Sequence, residues 1–483
     1  MTPRMTGAVP DGRALAGVRP SGRQLAWQAM EFYGFIHFGM NTMTDREWGE
    51  GHDDPAAFDP AGLDADQWIT ALKSAGMTGV ILTAKHHDGF CLWPSDVTAY
   101  SVSSSPWRGG RGDVVAEVAD AARRHGLRFG IYLSPWDRTE ASYGSGAAYD
   151  DFYVAQLTEL LTRYGPVFTV WLDGANGEGP NGRRQVYDWE RYYAVVRQLQ
   201  PDAVISVCGP DVRWCGNEAG ATRPDEWSVV PRALRDAERI ADRSQQADDG
   251  AFARLVRSDD RDLGSRAALA GHEDDLVWYP AEVNTSIRPG WFHHPAEDDA
   301  VRSADVLFDV YLRAVGGNSC FLLNVPPARD GRVRDADVAV LEQLGRRIDD
   351  FRGRRAEAGA TVSSGSPGDV ATAWPAARAG RGRTPWRPEG DDPLPGVTLT
   401  FARPRRIEAV VVGEDIAQGQ RIEHVVVRGR GDGGWLPLAE ANAVGYQRIL
   451  TFPPAEVDAV LVEIPQFRDT PVVARVAAIE ARP

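Results

Sequence analysis

The sequence predicts a (β/α)8-like TIM barrel followed by a C-terminal β-sandwich, and three observations carry that prediction. Strand-like and helix-like segments alternate from residue 31 onward, with strands starting near residues 32, 79, 128 and 167. No Gly-x-Gly-x-x-Gly turn follows the first strand, and polar and aromatic residues gather where each strand ends and its loop begins; both facts favour a closed barrel over an open doubly wound sheet. After Phe351 the texture changes to a Gly- and Pro-rich stretch and then to short alternating strands.

Each element has its own signal. Phe32 to Phe38 reads as a strand, Ala65 to Ala75 as an amphipathic helix and Gly79 to Ala84 as the second strand. Asp113 suits the N-cap of a helix whose Val114, Val115, Val118 and Ala122 recur at helical spacing, and Gly126 suits its left-handed end. Strand Arg128 to Leu133 follows, then helix Asp151 to Tyr164, closed by Gly165 and Pro166, and strand Val167 to Leu172. Further units are strands Ala203 to Val207, Leu276 to Ala281 and Cys320 to Leu323, with helices Ala304 to Val315 and Ala336 to Phe351. The polar, Arg- and Asp-rich residues 232–273 break the pattern and read as a partly helical insertion. Residues 1–352 are therefore assigned to the barrel and 353–483 to the sandwich, with strands at Gly396 to Phe401, Ile407 to Val412, Ile422 to Arg428 and Val457 to Ile464.

A chain of 483 residues accommodates one large domain and one small one, and 43% apolar with 25% charged residues is the composition of an ordinary folded protein. Fifty-three basic against 68 acidic residues leave a net charge of −15, which argues against nucleic acid or an anionic membrane as partner and suits a neutral substrate. Cys91, Cys208, Cys215 and Cys320 are too few and too scattered for a disulfide scaffold or a paired zinc motif, and read as reduced and mostly buried. The polar N-terminal stretch has no apolar core of a signal peptide, so a cytoplasmic location is expected unless a leader has been removed. Twelve of the fifteen tryptophans lie before residue 300, pointing to the first domain for a large core or a ligand surface.

The chemistry-bearing residues sit at strand ends. The first strand closes with His37 and Phe38 and is followed by Glu47 and Trp48; the second runs into Lys85-His86-His87-Asp88. A metal site is one reading of these histidines and carboxylates. Adjacent histidines in a regular strand point to opposite faces, however, and neither His-x-His nor His-Glu-x-x-His occurs, so no metal and no cofactor is expected. The fourth strand ends in Trp171-Leu172-Asp173-Gly174, which sets a carboxylate after four largely apolar residues, where it needs hydrogen bonds or a ligand to offset desolvation. Asp173 could instead be a loop or helix-capping residue. Glu218, in Cys215-Gly216-Asn217-Glu218-Ala219-Gly220, follows the fifth strand among small residues; Glu178, Glu226 and Glu282 compete for any role given to it.

Two carboxylates from different strand ends amid tryptophan and histidine are what glycoside hydrolysis requires, one ionised beneath the anomeric carbon and one protonated beside the leaving oxygen. A rate enhancement approaching ~10¹⁷ corresponds to ~23 kcal/mol, whereas a general acid alone gives only ~10²- to 10⁴-fold, so one carboxylate cannot suffice. Histidines and Glu47 can bond ring hydroxyls, and Trp48, Trp171 and Trp291 offer flat apolar faces for the C–H side of a sugar.

From Trp27 to Pro327 the chain resembles the α-L-fucosidases of glycoside hydrolase family 29, through His37-Phe38-Gly39, Glu47-Trp48-Gly49, Lys85-His86-His87-Asp88-Gly89-Phe90, Gly130-Ile131-Tyr132-Leu133-Ser134, Trp171-Leu172-Asp173-Gly174 and Arg288-Pro289-Gly290-Trp291. The resemblance implies a retaining mechanism with Asp173 as nucleophile. Asn217-Glu218-Ala219-Gly220, followed by Glu226-Trp227-Ser228-Val229-Val230-Pro231, resembles the subgroup acting on α-1,3- and α-1,4-linked fucose and implies Glu218 as acid/base. The fucose contacts implied are His37, Glu47, Trp48, His86, His87, Tyr132, Trp171 and Trp291, and the partner implied is a fucosylated oligosaccharide or glycan. The chain departs from the family pattern in lacking a secretion signal and in carrying residues 232–273. A glycan-binding protein without activity and a metal-dependent hydrolase are the two rival readings; the sandwich is read as a cover for the barrel in preference to a glycan-binding module.

Overall fold

The computed structural model describes residues 11–237, 240, 261–365 and 385–482. Eight parallel strands form a nearly closed barrel: β1 (Phe32–Ile36), β2 (Gly79–Lys85), β3 (Arg128–Leu133), β4 (Thr169–Leu172), β5 (Val204–Val207), β6 (Arg213–Trp214), β9 (Ala281–Ser286) and β10 (Cys320–Asn324), in the order β5-β4-β3-β2-β1-β10-β9-β6. A bridge between Ser206 and Val212 brings β5 back toward β6. The helices follow their capping chemistry. In helix Val114–His125 the Asp113 carboxylate accepts from the Ala116 N–H at 2.8 Å, and Gly126 ends it at φ 75°, with Val114, Val115, Val118 and Ala122 buried on the barrel side. Helix Ala147–Arg163 starts four residues before the expected Asp151, because Gly146 at φ 65° supplies the entry turn. No helix among the described residues is long and apolar enough to cross a membrane.

One expectation for the barrel is corrected, and one strand is added to those expected. Leu276 to Ala281 is not one barrel strand: β8 (Leu276–Trp278) leaves the barrel to pair antiparallel with β7 (Val229–Pro231), and the barrel strand begins at Ala281. Arg213–Trp214 is a barrel strand that carries no apolar run, and only five residues separate it from β5. Much of the expected insertion, residues 238–239 and 241–260, lies outside the described residues; a short helix, Arg266–Leu269, precedes β8.

The C-terminal sheet is antiparallel, in the order β11 (Gly359–Val362), β12 (Gly396–Glu414), β15 (Arg448–Phe467), β13 (Ile422–Gly431), β14 (Gly434–Ala441), with β16 (Val473–Glu480) on β12. Gly396 to Phe401 and Ile407 to Val412, expected as two strands, are one, running through Arg403-Pro404 with an irregular register between Thr400 and Arg405. Val397 and Leu399 from one end of β12 share a core with Val410 and Val412 from the other, so the halves of the sheet face each other as a sandwich. Its outer face, through Ala409, Val411, Ala477 and Ile479, covers Phe351 at the end of the Asp335–Gly353 helix. A second contact reaches toward the barrel mouth. Asn442 bonds Asp225 through its N–H at 3.1 Å and its side-chain amide at 2.9 Å, and Arg448 donates to the Pro224 carbonyl at 2.7 Å.

Candidate active site

Because side chains alternate along a strand, residues two apart share the barrel interior, and the last inward residue of each strand reaches the C-terminal rim. Phe35 and His37, Trp171 and Asp173, and Tyr132 and Ser134 are such pairs at the ends of β1, β4 and β3. His86 and His87 lie just beyond β2, where a turn closed by the Gly89 N–H on the His86 carbonyl at 3.0 Å has broken the strand. The opposed-faces rule therefore lapses, and both imidazoles enter the pocket with ring centroids 4.0 Å apart.

These strand ends and the loops beyond them wall a pocket that opens to solvent. Nine of the ten residues singled out in the sequence line it: Asp173, Glu218, His37, Trp48, His86, His87, Tyr132, Trp171 and Trp291. Glu47 does not line it. Its carboxylate accepts the backbone N–H groups of Trp291, in a short bond, and of Phe292 at 3.2 Å, and meets His294 Nε2 at 3.0 Å, so it clamps the loop that carries Trp291. Phe35 and Ala175 complete the lining.

Asp173 is held from two sides: Tyr132 donates to Oδ2 at 2.8 Å and the Ala175 N–H donates to Oδ1 at 2.8 Å. Across the pocket the Trp291 indole donates to Glu218 Oε2 at 2.8 Å. Tyr132 stacks on Trp171, with centroids 5.4 Å apart and planes at 27°, and on His86 at 5.6 Å and 13°. Of the competing glutamates, Glu226 is buried against Arg213 and Arg223, Glu178 is exposed, and Glu282 lies beneath Trp171; of the four, only Glu218 lines the pocket.

The hydrogen-bond network fixes the histidine tautomers. Asn324 spends its amide hydrogens on Ser286 and the Trp291 carbonyl, so its oxygen accepts from His37 Nδ1–H at 2.9 Å and His37 keeps an Nε2 acceptor. Asn41 donates to the Glu47 carbonyl and to His86 Nδ1, both at 3.1 Å, so His86 carries its proton on Nε2. Ser134 gives its proton to the Trp136 carbonyl, so His87 Nδ1–H is the donor to Ser134 at 2.7 Å and its Nε2 is an acceptor 3.9 Å from Asp173 Oδ2. Burial lowers His37 to about 3 and His87 to about 4, the latter despite the neighbouring Asp173 charge, and pushes His86 well below its ordinary value. Three neutral imidazoles thus offer two acceptors and one donor without setting positive charge beside the reaction centre.

The Alpha-L-fucosidase family model matches residues 47–350, more than half of the chain. The chain belongs to the alpha-L-fucosidase family. Alpha-L-fucosidase 1 of Arabidopsis thaliana is 41% identical over 442 residues, covering 90% of this chain and 81% of that protein. Among solved structures, a glycoside hydrolase 29 family member from an unknown rumen bacterium is 34% identical with TM-score 0.78, covering 98% of this chain and 78% of the other. A glycoside hydrolase 29 fucosidase of Ruminococcus gnavus, solved in complex with fucose, is 27% identical with TM-score 0.82, covering 99% and 97%. The protein is an α-L-fucosidase, a glycoside hydrolase on a TIM barrel.

Sequence reasoning missed the groups that orient the fucosidase pocket. Asn324 ends β10 on the same alternation that exposes Asp173, and extending that strand by one residue finds it. Ser134 follows β3 on the same alternation as Tyr132, whereas Asn41 and His294 carry no comparable signal, since their partners arrive from distant loops.

Proposed function

We propose that this fucosidase is a retaining exo-enzyme that releases terminal α-1,3- or α-1,4-linked L-fucose from oligosaccharides or glycans, with Asp173 as nucleophile and Glu218 as acid/base. One observation supports the pair above all: the two carboxylates come from different strand ends yet line the same pocket. Asp173, oriented by Tyr132 and the Ala175 N–H, attacks C1 of the fucosyl unit while Glu218 protonates the departing glycosidic oxygen. Glu218 then takes a proton from water, whose oxygen attacks C1 and frees Asp173. Each displacement inverts C1, so the net result is retention. Trp171, Trp48 and Trp291 face the apolar side of the sugar, and the His37, His86 and His87 nitrogens answer its hydroxyls. Glu47 acts through the Trp291 loop. The linkage preference is supported by the Asn217-Glu218-Ala219-Gly220 segment and by the Glu226 to Pro231 run that follows it.

Stereochemistry tests the reading. NMR of the first product formed should show α-L-fucose; β-L-fucose appearing first contradicts it. With an activated aryl fucoside and azide, Glu218→Ala should yield α-fucosyl azide, because azide replaces water on the covalent intermediate, whereas Asp173→Ala should yield the β-anomer by a single inversion. The same anomer from both variants would reverse or dissolve the assignment. A panel of linkages should show α-1,3 and α-1,4 fucose released faster than α-1,2; the opposite order removes the linkage claim alone.

A further inference from the structure

Glu282 is buried in the barrel interior below the pocket. Among the described residues its carboxylate meets two donors and no cation. Oε1 accepts the Trp171 indole N–H at 2.8 Å, and Oε2 accepts the Tyr33 hydroxyl in a short bond. The Tyr33 oxygen in turn accepts the Trp27 indole N–H at 2.9 Å. An isolated carboxylate deep in a barrel opposes folding through desolvation, and burial raises its titration to about 7. What the carboxylate supplies is two acceptors at once, back to back. An amide at the same place would turn its NH2 toward Tyr33 and leave the hydroxyl proton without an acceptor; a protonated acid brings the same conflict.

Trp171 links this buried group to the chemistry. It lies two residues before Asp173 on one face of the chain leaving β4, and Tyr132, which donates to Asp173, stacks on its ring. Phe35 contacts the same indole at 5.4 Å and 59°, so the ring is located by packing in two directions and by the Glu282 bond in the third. We propose that Glu282 is a positioning residue for the fucosidase reaction: by fixing the Trp171 indole it sets the sugar-facing floor and the seat from which Tyr132 holds Asp173. The inference rests on the reading of Asp173 as nucleophile, and its test separates the two.

The full-length enzyme is compared with Glu282→Gln, Trp171→Phe and the double variant on an aryl α-L-fucoside, with thermal midpoint and circular dichroism recorded for each. Glu282→Gln exchanges the charged acceptor of the indole for a weaker neutral one and leaves the Tyr33 hydroxyl unanswered, so the indole is held less firmly. It should lower kcat about tenfold, more than it changes KM, and should remove an acid-side inflection of the pH profile near 7. In the Trp171→Phe background, which lacks the indole donor, the same substitution should change kcat less than about twofold, since residues acting through one contact are not additive. Unchanged kcat, KM and pH profile in Glu282→Gln would overturn the proposal. So would losses that multiply in the double variant, or a lowered thermal midpoint with normal kcat per folded molecule, which marks a merely structural role. If Asp173→Ala retains turnover, the nucleophile reading fails, and coupling between Glu282 and Trp171 in kcat and KM then still reports on the floor alone.

Discussion

Tyr132 Oη lies 2.8 Å from Asp173 Oδ2, and the Ala175 N–H lies 2.8 Å from Oδ1 of the same carboxylate, so one oxygen is aimed by a side chain of β3 and the other by the backbone of the loop that follows β4. Burial holds the Tyr132 phenol well above its ordinary value, so it stays a proton donor throughout the working range. A hydrogen bond to a charged group contributes roughly 1.5–3 kcal/mol, so Tyr132→Phe should lower kcat/KM about 10- to 100-fold, with most of the loss in kcat. The kinetics of an aryl fucoside check this; a loss confined to KM would show that the phenol binds sugar without orienting Asp173.

Glu226 separates stability from chemistry. It is buried between Arg213, in a short ion pair, and Arg223 at 3.3 Å; burial opposes its charge, and the two guanidiniums overcome that and hold it below the ordinary carboxylate value. Breaking a buried pair from one side costs about 3–5 kcal/mol, so Glu226→Ala should lower the denaturation midpoint sharply. Turnover per folded molecule should change little, and azide should restore nothing. Azide rescue of Glu226→Ala would move the acid/base role from Glu218 to Glu226.

His294 gives the Trp291 loop a pH dependence. Its hydrogen bond to Glu47, aided by one to Asp45, raises it to about 9, with Glu297 adding to the attraction and burial opposing it. The folded value lies above the unfolded value of about 6.5, so the stabilisation is complete below pH 6.5 and is lost as pH rises through 9. His294→Gln should therefore melt below the parent enzyme at pH 6, with the gap closing by pH 10. A gap constant with pH would mean that the imidazolium contributes no charge attraction.

All four cysteines are buried and unpaired, and burial raises Cys91, Cys208 and Cys320 well above the ordinary thiol value and Cys215 to about 11. An aromatic disulfide reagent should react with none of them in the native enzyme and with all four in denaturant. Native reactivity would identify a thiol reached by local opening.

The barrel was legible where its interior is apolar. β1 to β5 read as apolar runs because both faces of those strands are covered. Ala281–Ser286 escaped because its inward column is Glu282, Asn284 and Ser286, a polar ladder bonded to Tyr33, Trp171, Trp214 and Asn324, while the apolar Leu276–Trp278 beside it serves a ribbon outside the barrel. Arg213–Trp214 is too short to show any period. In the site, strand-end position sufficed for Asp173 and His37, because alternation alone brings them to the rim, whereas Tyr132 entered through the family resemblance. The part played by Glu47 depends on where the Trp291 loop folds back, 244 residues downstream, and no local pattern records that. The break expected between Phe401 and Ile407 is absent, and Pro404, which would interrupt a regular ladder, sits where the register of β12 is already irregular.

The bonds from Asn442 to Asp225 and from Arg448 to Pro224 bear on modularity. Glu218 lies only a few residues upstream of a stretch moored to the second domain, and the outer face of that domain shields Phe351 from water. Trimming the chain at residue 353 would unmoor that stretch and uncover an apolar seam together. A graft of the second domain onto another barrel would therefore lose these bonds unless Asp225 and Asn442 travel as a matched pair.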